Sequence, residues 1–311
     1  MTGFQRQPAE GPERLAAALT RAAAVLAGAG VESPRVDAEL LAAHLLGLPR
    51  GRLALVDTLS AAQARRLGEL VDERANRVPL QHLIGSAVFR RVELAVGPGV
   101  FVPRPETELL AGWGIEALRA RRPGAVVVDL CSGSGAIALA VAQEARDVRV
   151  YAVERAPGAL EWLRRNAGVR AAAGDAPVTV VEGDATDPAV LAELDGRVDV
   201  VLCNPPYVPR GAAGVPPEVA EHDPPDAVFG GPDGLSVIRP VIGRAAAMLR
   251  PAGAVGIEHD DGQADAVLGL FTADGRFASI NDHPDLAGRS RFCTATRRAG
   301  SGSPAWQTGS S

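Results

Sequence analysis

The sequence predicts an α/β protein: a doubly wound, mostly parallel sheet of seven strands, preceded by a small all-helical domain and a linking β-hairpin. Three observations carry this. From residue 101 to 298 short apolar runs alternate with helical stretches, the pattern of strand–helix–strand units that build a parallel sheet. Residues 1–80 place their apolar side chains at helical spacing. Between them, 81–100 alternates apolar and polar residues and closes on Gly97-Pro98-Gly99, as a short hairpin does.

The elements follow in order. Leu15, Leu19, Ala22, Val25 and Leu26 recur on one helical face, and Gly28 and Gly30 follow as a stop. Ser33-Pro34 reads as a cap with Pro at the first helical position, and Val36, Leu40, Leu41 and Leu45 continue that helix. Ser60 opens a third helix carrying Ala64, Leu67, Leu70 and Val71. The hairpin's apolar positions are Val88, Val92, Leu94 and Val96. The runs 125–130, 148–154, 178–184, 198–207 and 252–259 read as strands, with helices over 136–145, 156–167 and 236–249 between them. The runs 277–282 and 291–297 close the sheet. The tail, 299–311, is small and polar and is expected to be disordered.

Composition narrows the classes. The 311 residues carry a net charge of −5, and every non-histidine basic residue is Arg. Binding duplex nucleic acid through many phosphates calls for a basic surface, so no direct nucleic-acid partner is expected. No apolar run approaches the ~20 residues of a membrane span. The N-terminal residues lack the apolar stretch of a signal peptide, so the expected location is the cytoplasm. Cys131, Cys203 and Cys293 form no CxxC pair, and His44, His82, His222, His259 and His283 are scattered. Neither disulfide nor metal is expected.

The first sharp motif runs from Asp129 through Cys131-Ser132-Gly133-Ser134-Gly135, where the first strand of the sheet turns into its helix. Glycines there let a ligand approach the backbone closely. Glu154 ends the second strand, where a carboxylate can accept from both ribose hydroxyls. Asp184 ends the third, where an acid can accept from the amine of adenine. This much fits S-adenosylmethionine (SAM), and NAD as well.

The fourth strand decides between them, because it ends in Asn204-Pro205-Pro206-Tyr207. Two prolines fix φ and remove two backbone donors, leaving a stiff turn of acceptors. Asn204 adds a side-chain carbonyl. Together they can bind both hydrogens of an –NH2 group while Tyr207 stacks on a flat amide or base. A nitrogen so held faces a sulfonium methyl, and catalysis becomes largely positioning. The reading is a SAM-dependent nitrogen methyltransferase.

Here the chain resembles the release factor glutamine methyltransferases (PrmC/HemK family), class I enzymes with a Rossmann-like sheet. The resemblance runs from Pro79 to Arg297, with a looser match in the helical N-terminus. Besides the Asn-Pro-Pro-Tyr run it rests on residues 79–85 (PLQHLIG), 101–108 (FVPRPETE) and 223–235 (DPPDAVFGGPDGL), and on Glu258-His259. It implies methyl transfer from SAM to the amide nitrogen of the Gly-Gly-Gln glutamine in peptide-chain release factors. It also implies residue roles. Cys131, Ser132, Gly133, Ser134 and Gly135 would hold the methionine part of SAM, Glu154 the ribose, and Asp184 and Ala185 would flank adenine. Asn204, Pro205, Pro206 and Tyr207 would hold the target glutamine as both binding and catalytic residues. Residues 1–80 become a substrate-recognition domain, 81–100 a hairpin linker and 101–298 the catalytic domain of a monomeric enzyme.

The chain departs from the family pattern at four places: Cys131 stands where many members have Gly, Glu154 where Asp is common, Ala185 where some carry an aromatic, and Asp260 where Gly is frequent. The long Gly- and Pro-rich stretch 209–234 is expected to line the substrate groove. Competing readings are a ribosomal-protein glutamine, an exocyclic amine of DNA or RNA, and a SAM-binding protein without activity. The acidic balance opposes the nucleic-acid reading, and the intact Asn-Pro-Pro-Tyr run opposes the inactive one.

Overall fold

The computed structural model describes residues 12–119, 121 and 123–299. They divide into two compact units, the first running to Ser86 and taking in Val96–Pro98 and Val215–His222, the second holding the rest. The tail read as disordered lies, beyond Ala299, outside the described residues.

The first unit contains strand β1 (Glu13–Arg14), helices α1 (Leu15–Gly28) and α2 (Pro34–Leu46), strand β2 (Thr58–Leu59), and helices α3 (Ala61–Ala75) and α4 (Leu80–Ile84). β1 and β2 pair antiparallel. Leu15, Leu19, Leu26, Leu41, Leu67 and Leu70 meet in one core. Ser60 caps α3 in a reciprocal box with Gln63, a device worth ~1 kcal/mol. Ser33 makes no such bond, and α2 starts instead on Pro34, whose φ is preset for the first turn. Arg74 of α3 pairs with Asp37 of α2 at 2.8 Å and with Glu218 at 2.9 Å, and Arg77 reaches Glu218 at 2.6 Å. These pairs tie the helical turn around Glu218 to this unit.

The hairpin consists of β3 (Ser86–Phe89) and β4 (Val92–Ala95) and is shorter than the 81–100 segment read from the sequence. α4 occupies its start and ends on Gly85, whose φ of 78° is left-handed. Val88 is exposed, whereas Ala87, Phe89, Val92 and Leu94 are buried. A two-residue turn sets 89 opposite 92, so both face one side, and an unbroken even-numbered alternation cannot hold across it.

The chain continues through α5 (Thr107–Arg119), β5 (Ala125–Leu130), α6 (Ala136–Glu144), β6 (Val148–Glu154), α7 (Pro157–Ala172), β7 (Val178–Glu182) and β8 (Val198–Cys203). After α8 (Pro217–His222), which belongs to the first unit, come α9 (Pro225–Val228), α10 (Ile238–Met248), β9 (Leu249–Glu258), α11 (Ala264–Asp274), β10 (Phe277–Pro284) and β11 (Ser290–Arg297). The seven-stranded sheet has the order β10-β11-β9-β8-β5-β6-β7, with β11 antiparallel to its neighbours. β5 and β8 are buried along their whole length, which is why both read as continuous apolar runs. The chain leaves β5 in one direction through β6 and β7 and returns in the other at β8. That reversal opens a crevice at the carboxyl ends of β5 and β8, where open α/β sheets take their ligands. No helix among the described residues is long and apolar enough to cross a membrane.

Candidate active site

β5 delivers the glycine-rich loop to this crevice. Cys131 has φ 61°, a left-handed value that an L side chain adopts at some cost and that glycine adopts freely. Gly135, with φ 89°, precedes α6, and a Cβ there would stand 2.6 Å from Leu163 Cδ1. Gly133, with φ 56°, is different: a Cβ there would meet nothing within 4 Å. The loop is therefore packed at Gly135 and open at Gly133. Beneath it Asp129 is fully buried, Oδ2 accepting from Ala138 N at 3.1 Å while Oδ1 has no partner. Burial pushes its carboxyl up to about 7, against the opposing pull of Ser132 and Ala138.

Glu154, at the end of β6, binds the loop itself. Its Oε2 accepts from Gly133 N at 2.8 Å, and its Oε1 accepts from Arg155 N and Ala156 N, both at 2.8 Å. Four lone-pair directions less three backbone donors leaves one, on Oε2. Asp184 is half-exposed, with Oδ1 accepting from Thr186 N at 2.8 Å and Thr186 Oγ1 at 2.7 Å and Oδ2 paired with Arg155 at 2.9 Å. Partial burial makes the carboxyl a weaker acid, but these partners outweigh it and hold its pKa below the ordinary range. Ala185 is buried in the core cluster with Val190 and Leu194. Its methyl faces that core, which makes room for an aromatic scarce.

β8 delivers Asn204 to Tyr207 to the other lip of the crevice, Leu130 and Cys203 being register partners. Asn204 Nδ2 donates to Thr107 Oγ1 at 3.2 Å, leaving Oδ1 as the free end of the amide. Among the described residues nothing donates to the Pro205 carbonyl. The Tyr207 carbonyl, in contrast, accepts from Gln263 Nε2 at 2.9 Å, and that nitrogen also reaches the Asp233 carbonyl at 3.1 Å. This corrects the picture of a turn whose carbonyls all lack competing donors: the turn closes on Gln263, and its acceptors are those of Asn204 and Pro205. Tyr207 donates its hydroxyl to Glu258 Oε1 at 3.0 Å. Its own acidity is pushed far out of the usual range by burial and by the Glu258 charge. Glu258 is fully buried, and burial pushes its carboxyl up to about 7, opposed by the Thr107 and Tyr207 hydroxyls and the Arg291 charge.

The runs that carried the family resemblance meet here. Arg104 pairs with Asp223 at 2.9 Å, joining 101–108 to 223–235. The 230–234 segment lies so close to the reactive turn that a Cβ on Gly230 would strike the Pro206 carbonyl, and one on Gly234 the Tyr207 carbonyl. Its base is closed by Val208 and Phe229, which bridge. Of the stretch 209–234 read as groove lining, 215–222 falls instead in the helical unit. Glu108 accepts from Arg90 N at 2.9 Å, a structural bond at the start of α5. Thr107 and Glu258 stood in the sequence only as members of runs that carry the resemblance, and Gln263 not at all, because their partners lie 97, 51 and 56 residues away.

One cluster escaped the sequence reading. His259, Asp282 and Cys293 bring their ligand-type atoms within 4.8 Å of one another. His259 contacts the Asp260 carbonyl at 2.8 Å, Asp282 Oδ1 at 3.1 Å and Cys293 Sγ at 3.2 Å. The carboxylate partner of His259 thus comes from β10, across the sheet. Asp260 caps the next turn, its Oδ1 accepting from Gly262 N at 3.1 Å.

Known proteins resemble this chain over nearly all its length. The PrmC N-terminal domain family matches residues 17–85, and the Methyltransferase small domain family matches 105–216. The chain is 52% identical over 286 residues to the release factor glutamine methyltransferase of Mycolicibacterium smegmatis, covering 92% of this chain and 99% of that one. It is 49% identical over 288 residues to the release factor glutamine methyltransferase of Streptomyces coelicolor, covering 91% and 98%. A 4-amino-L-phenylalanine/4-methylamino-L-phenylalanine methyltransferase of Streptomyces pristinaespiralis is 39% identical over 277 residues, covering 87% and 91%.

Proposed function

The chain belongs to the release factor glutamine methyltransferase family, and from that membership we propose that it methylates the side-chain amide nitrogen (N5) of the glutamine in the Gly-Gly-Gln motif of peptide-chain release factors, with SAM as donor. The observation that carries the reading is the pair of open acceptors, Asn204 Oδ1 and the Pro205 carbonyl, at the switch point of the sheet. A primary amide has two N–H donors, and two fixed acceptors match it.

The residues of the crevice fit the donor molecule. Gly133 offers bare backbone, and Asp129 holds a buried carboxylate oxygen without a partner below it. In this reading Cys131 to Gly135 hold the methionine part and the remaining lone pair of Glu154 accepts from the ribose. Asp184 and Ala185 contribute to the adenine end through backbone, since the Asp184 carboxylate is engaged and the Ala185 methyl faces the core. When bound, SAM supplies an electrophilic methyl on a sulfonium. The protein's part is to hold the amide nitrogen. Its lone pair is delocalised into the neighbouring carbonyl, and accepting both of its hydrogens returns electron density to nitrogen. Pro205 and Pro206 keep the acceptors from wandering, and positioning of this kind supplies the rate. The nitrogen loses a proton as it gains the methyl, and water can take it.

The helical unit is assigned to partner selection. A monomer working in the cytoplasm without nucleic acid accords with the net charge of −5 and three free thiols. The test is transfer of labelled methyl from SAM to a purified release factor, to its variant with the Gly-Gly-Gln glutamine replaced, to 4-amino-L-phenylalanine, and to ribosomes and nucleic acid. Label on the intact release factor alone is expected. Label on nucleic acid or on the arylamine alone overturns the reading.

A further inference from the structure

Asn204 has two ends of nearly equal shape, and only its oxygen can accept from a substrate –NH2. Nothing within the side chain selects that end. A neighbour must do so, and the neighbour in contact is Thr107, buried at 3% exposure with Oγ1 3.2 Å from Asn204 Nδ2. A hydroxyl has one proton. Thr107 holds Asn204 in the accepting orientation only when that proton is committed to another acceptor; otherwise Thr107 can donate to Asn204 Oδ1 and hold the amide the wrong way round.

The acceptor is at hand. Glu258 closes β9, fully buried. Its Oε1 receives the Tyr207 hydroxyl at 3.0 Å. Its Oε2 is buried and accepts no hydrogen bond, and the Thr107 side chain, already against Asn204, is near enough to bear on the same carboxyl. A buried carboxylate oxygen left unpaired is costly, so a rotatable hydroxyl beside it turns its proton there. One carboxyl then serves both residues of the reactive turn that bear polar side chains: Tyr207 directly, Asn204 through Thr107.

We propose that Glu258 and Thr107 are positioning residues for methyl transfer: Glu258 accepts a hydrogen bond from the Thr107 hydroxyl, Thr107 therefore accepts from Asn204 Nδ2, and the Asn204 oxygen is turned toward the substrate amide. The inference rests on the glutamine reading above. It differs from a packing role because it depends on the direction of each hydrogen bond, not on volume.

Direction is what the test reads. Thr107→Val keeps the shape and removes the hydroxyl. Its kcat on the release factor is expected to fall ~100-fold, the scale of a reacting group set loose, with KM and the SAM dissociation constant within about threefold of wild type. Thr107→Ser restores the hydroxyl and is expected to return kcat to within about fivefold. Glu258→Gln is isosteric but offers one acceptor oxygen where the Tyr207 and Thr107 hydroxyls need one each, and should lose kcat as Thr107→Val does. The double variant Thr107→Val/Glu258→Gln should lose little more than the worse single variant, since one relay is broken once. Thermal unfolding of each variant separates a folding defect from a kinetic one, and if Glu258→Gln does not fold, the Thr107 pair decides by itself. Wild-type kcat in Thr107→Val, or equal activity in Thr107→Val and Thr107→Ser, overturns the inference alone. Absence of label on the release factor with wild-type enzyme overturns the glutamine reading and the inference with it.

Discussion

The backbone N–H of Gly133 donates to Glu154 Oε2 at 2.8 Å, so the open glycine of the β5–α6 loop is bonded directly to the acid that closes β6. In the proposed reading Glu154 is thereby a part of the loop as well as the ribose acceptor. Glu154→Ala should raise the SAM dissociation constant between 10- and 100-fold, about 1.4–2.7 kcal/mol, through loss of both functions. Calorimetric titration measures it. An unchanged affinity would remove Glu154 from the cofactor site.

Asn204→Ala removes the acceptor and leaves the glycine-rich loop untouched. Turnover should fall by at least ~100-fold while SAM binds nearly as before, because the lost bond belongs to the substrate side. Near wild-type turnover would sink the assignment of Asn204.

Gly234 separates strain from collision. Its φ is 77°, and a Cβ would strike the Tyr207 carbonyl and Gln263 Nε2, the two partners that close the reactive turn. Gly211 has φ 81° with nothing within 4 Å of its Cβ position. Both Ala substitutions carry a backbone cost of about 1–2 kcal/mol, yet Gly234→Ala should also lower kcat at least ~10-fold and Gly211→Ala should not. Equal activity in the two variants would dissociate the 230–234 segment from catalysis.

Two buried acids set a pH dependence of stability. Glu258 is raised from 4.5, and Asp129 from 3.8, each to about 7. A folded state that holds a proton more tightly than the unfolded chain is favoured at low pH. This stability is full below about 4 and is lost as pH rises through about 7, on the order of 3 kcal/mol for a shift of this size. Asp233 and Asp285, held down at about 2, act the opposite way and only as pH falls toward that value. The unfolding temperature should therefore drop between about pH 4.5 and pH 7.5, level off above that, and drop less in Glu258→Gln. An equal drop in both proteins would show that Glu258 does not titrate in this range.

In the helical unit, Arg74 neutralises Asp37 and Glu218 at once. Arg74→Ala leaves Asp37 buried without its cation and should cost about 3–5 kcal/mol, read as lost hydrogen-exchange protection in α2 and α3. Protection at wild-type level would make the pair a surface ornament.

The sequence is legible wherever a local rule suffices. Alternating apolar runs fix the strands because β5 and β8 are buried on both faces and tolerate little else. α11 is apolar on several faces, with Leu268 and Leu270 beside the buried Val267 and Phe271, so no single helical stripe stands out. Ser33 stands at the N-cap before Pro34 as read, though its side chain makes no capping bond, and Val88 faced outward because a two-residue turn fixes the parity of its strand.

The sequence by itself determined the strand–helix alternation, the glycine-rich loop, the acids at successive strand ends and the Asn204 to Tyr207 turn, for each is written in neighbouring residues. Only the tertiary structure decided what those residues face: Glu154 on Gly133, Asn204 on Thr107, Tyr207 on Glu258 and on Gln263. Such partners lie 21 to 97 residues apart. Their meeting is set by strand order and register, which come from the cooperative packing of the whole sheet and not from any local run of side chains.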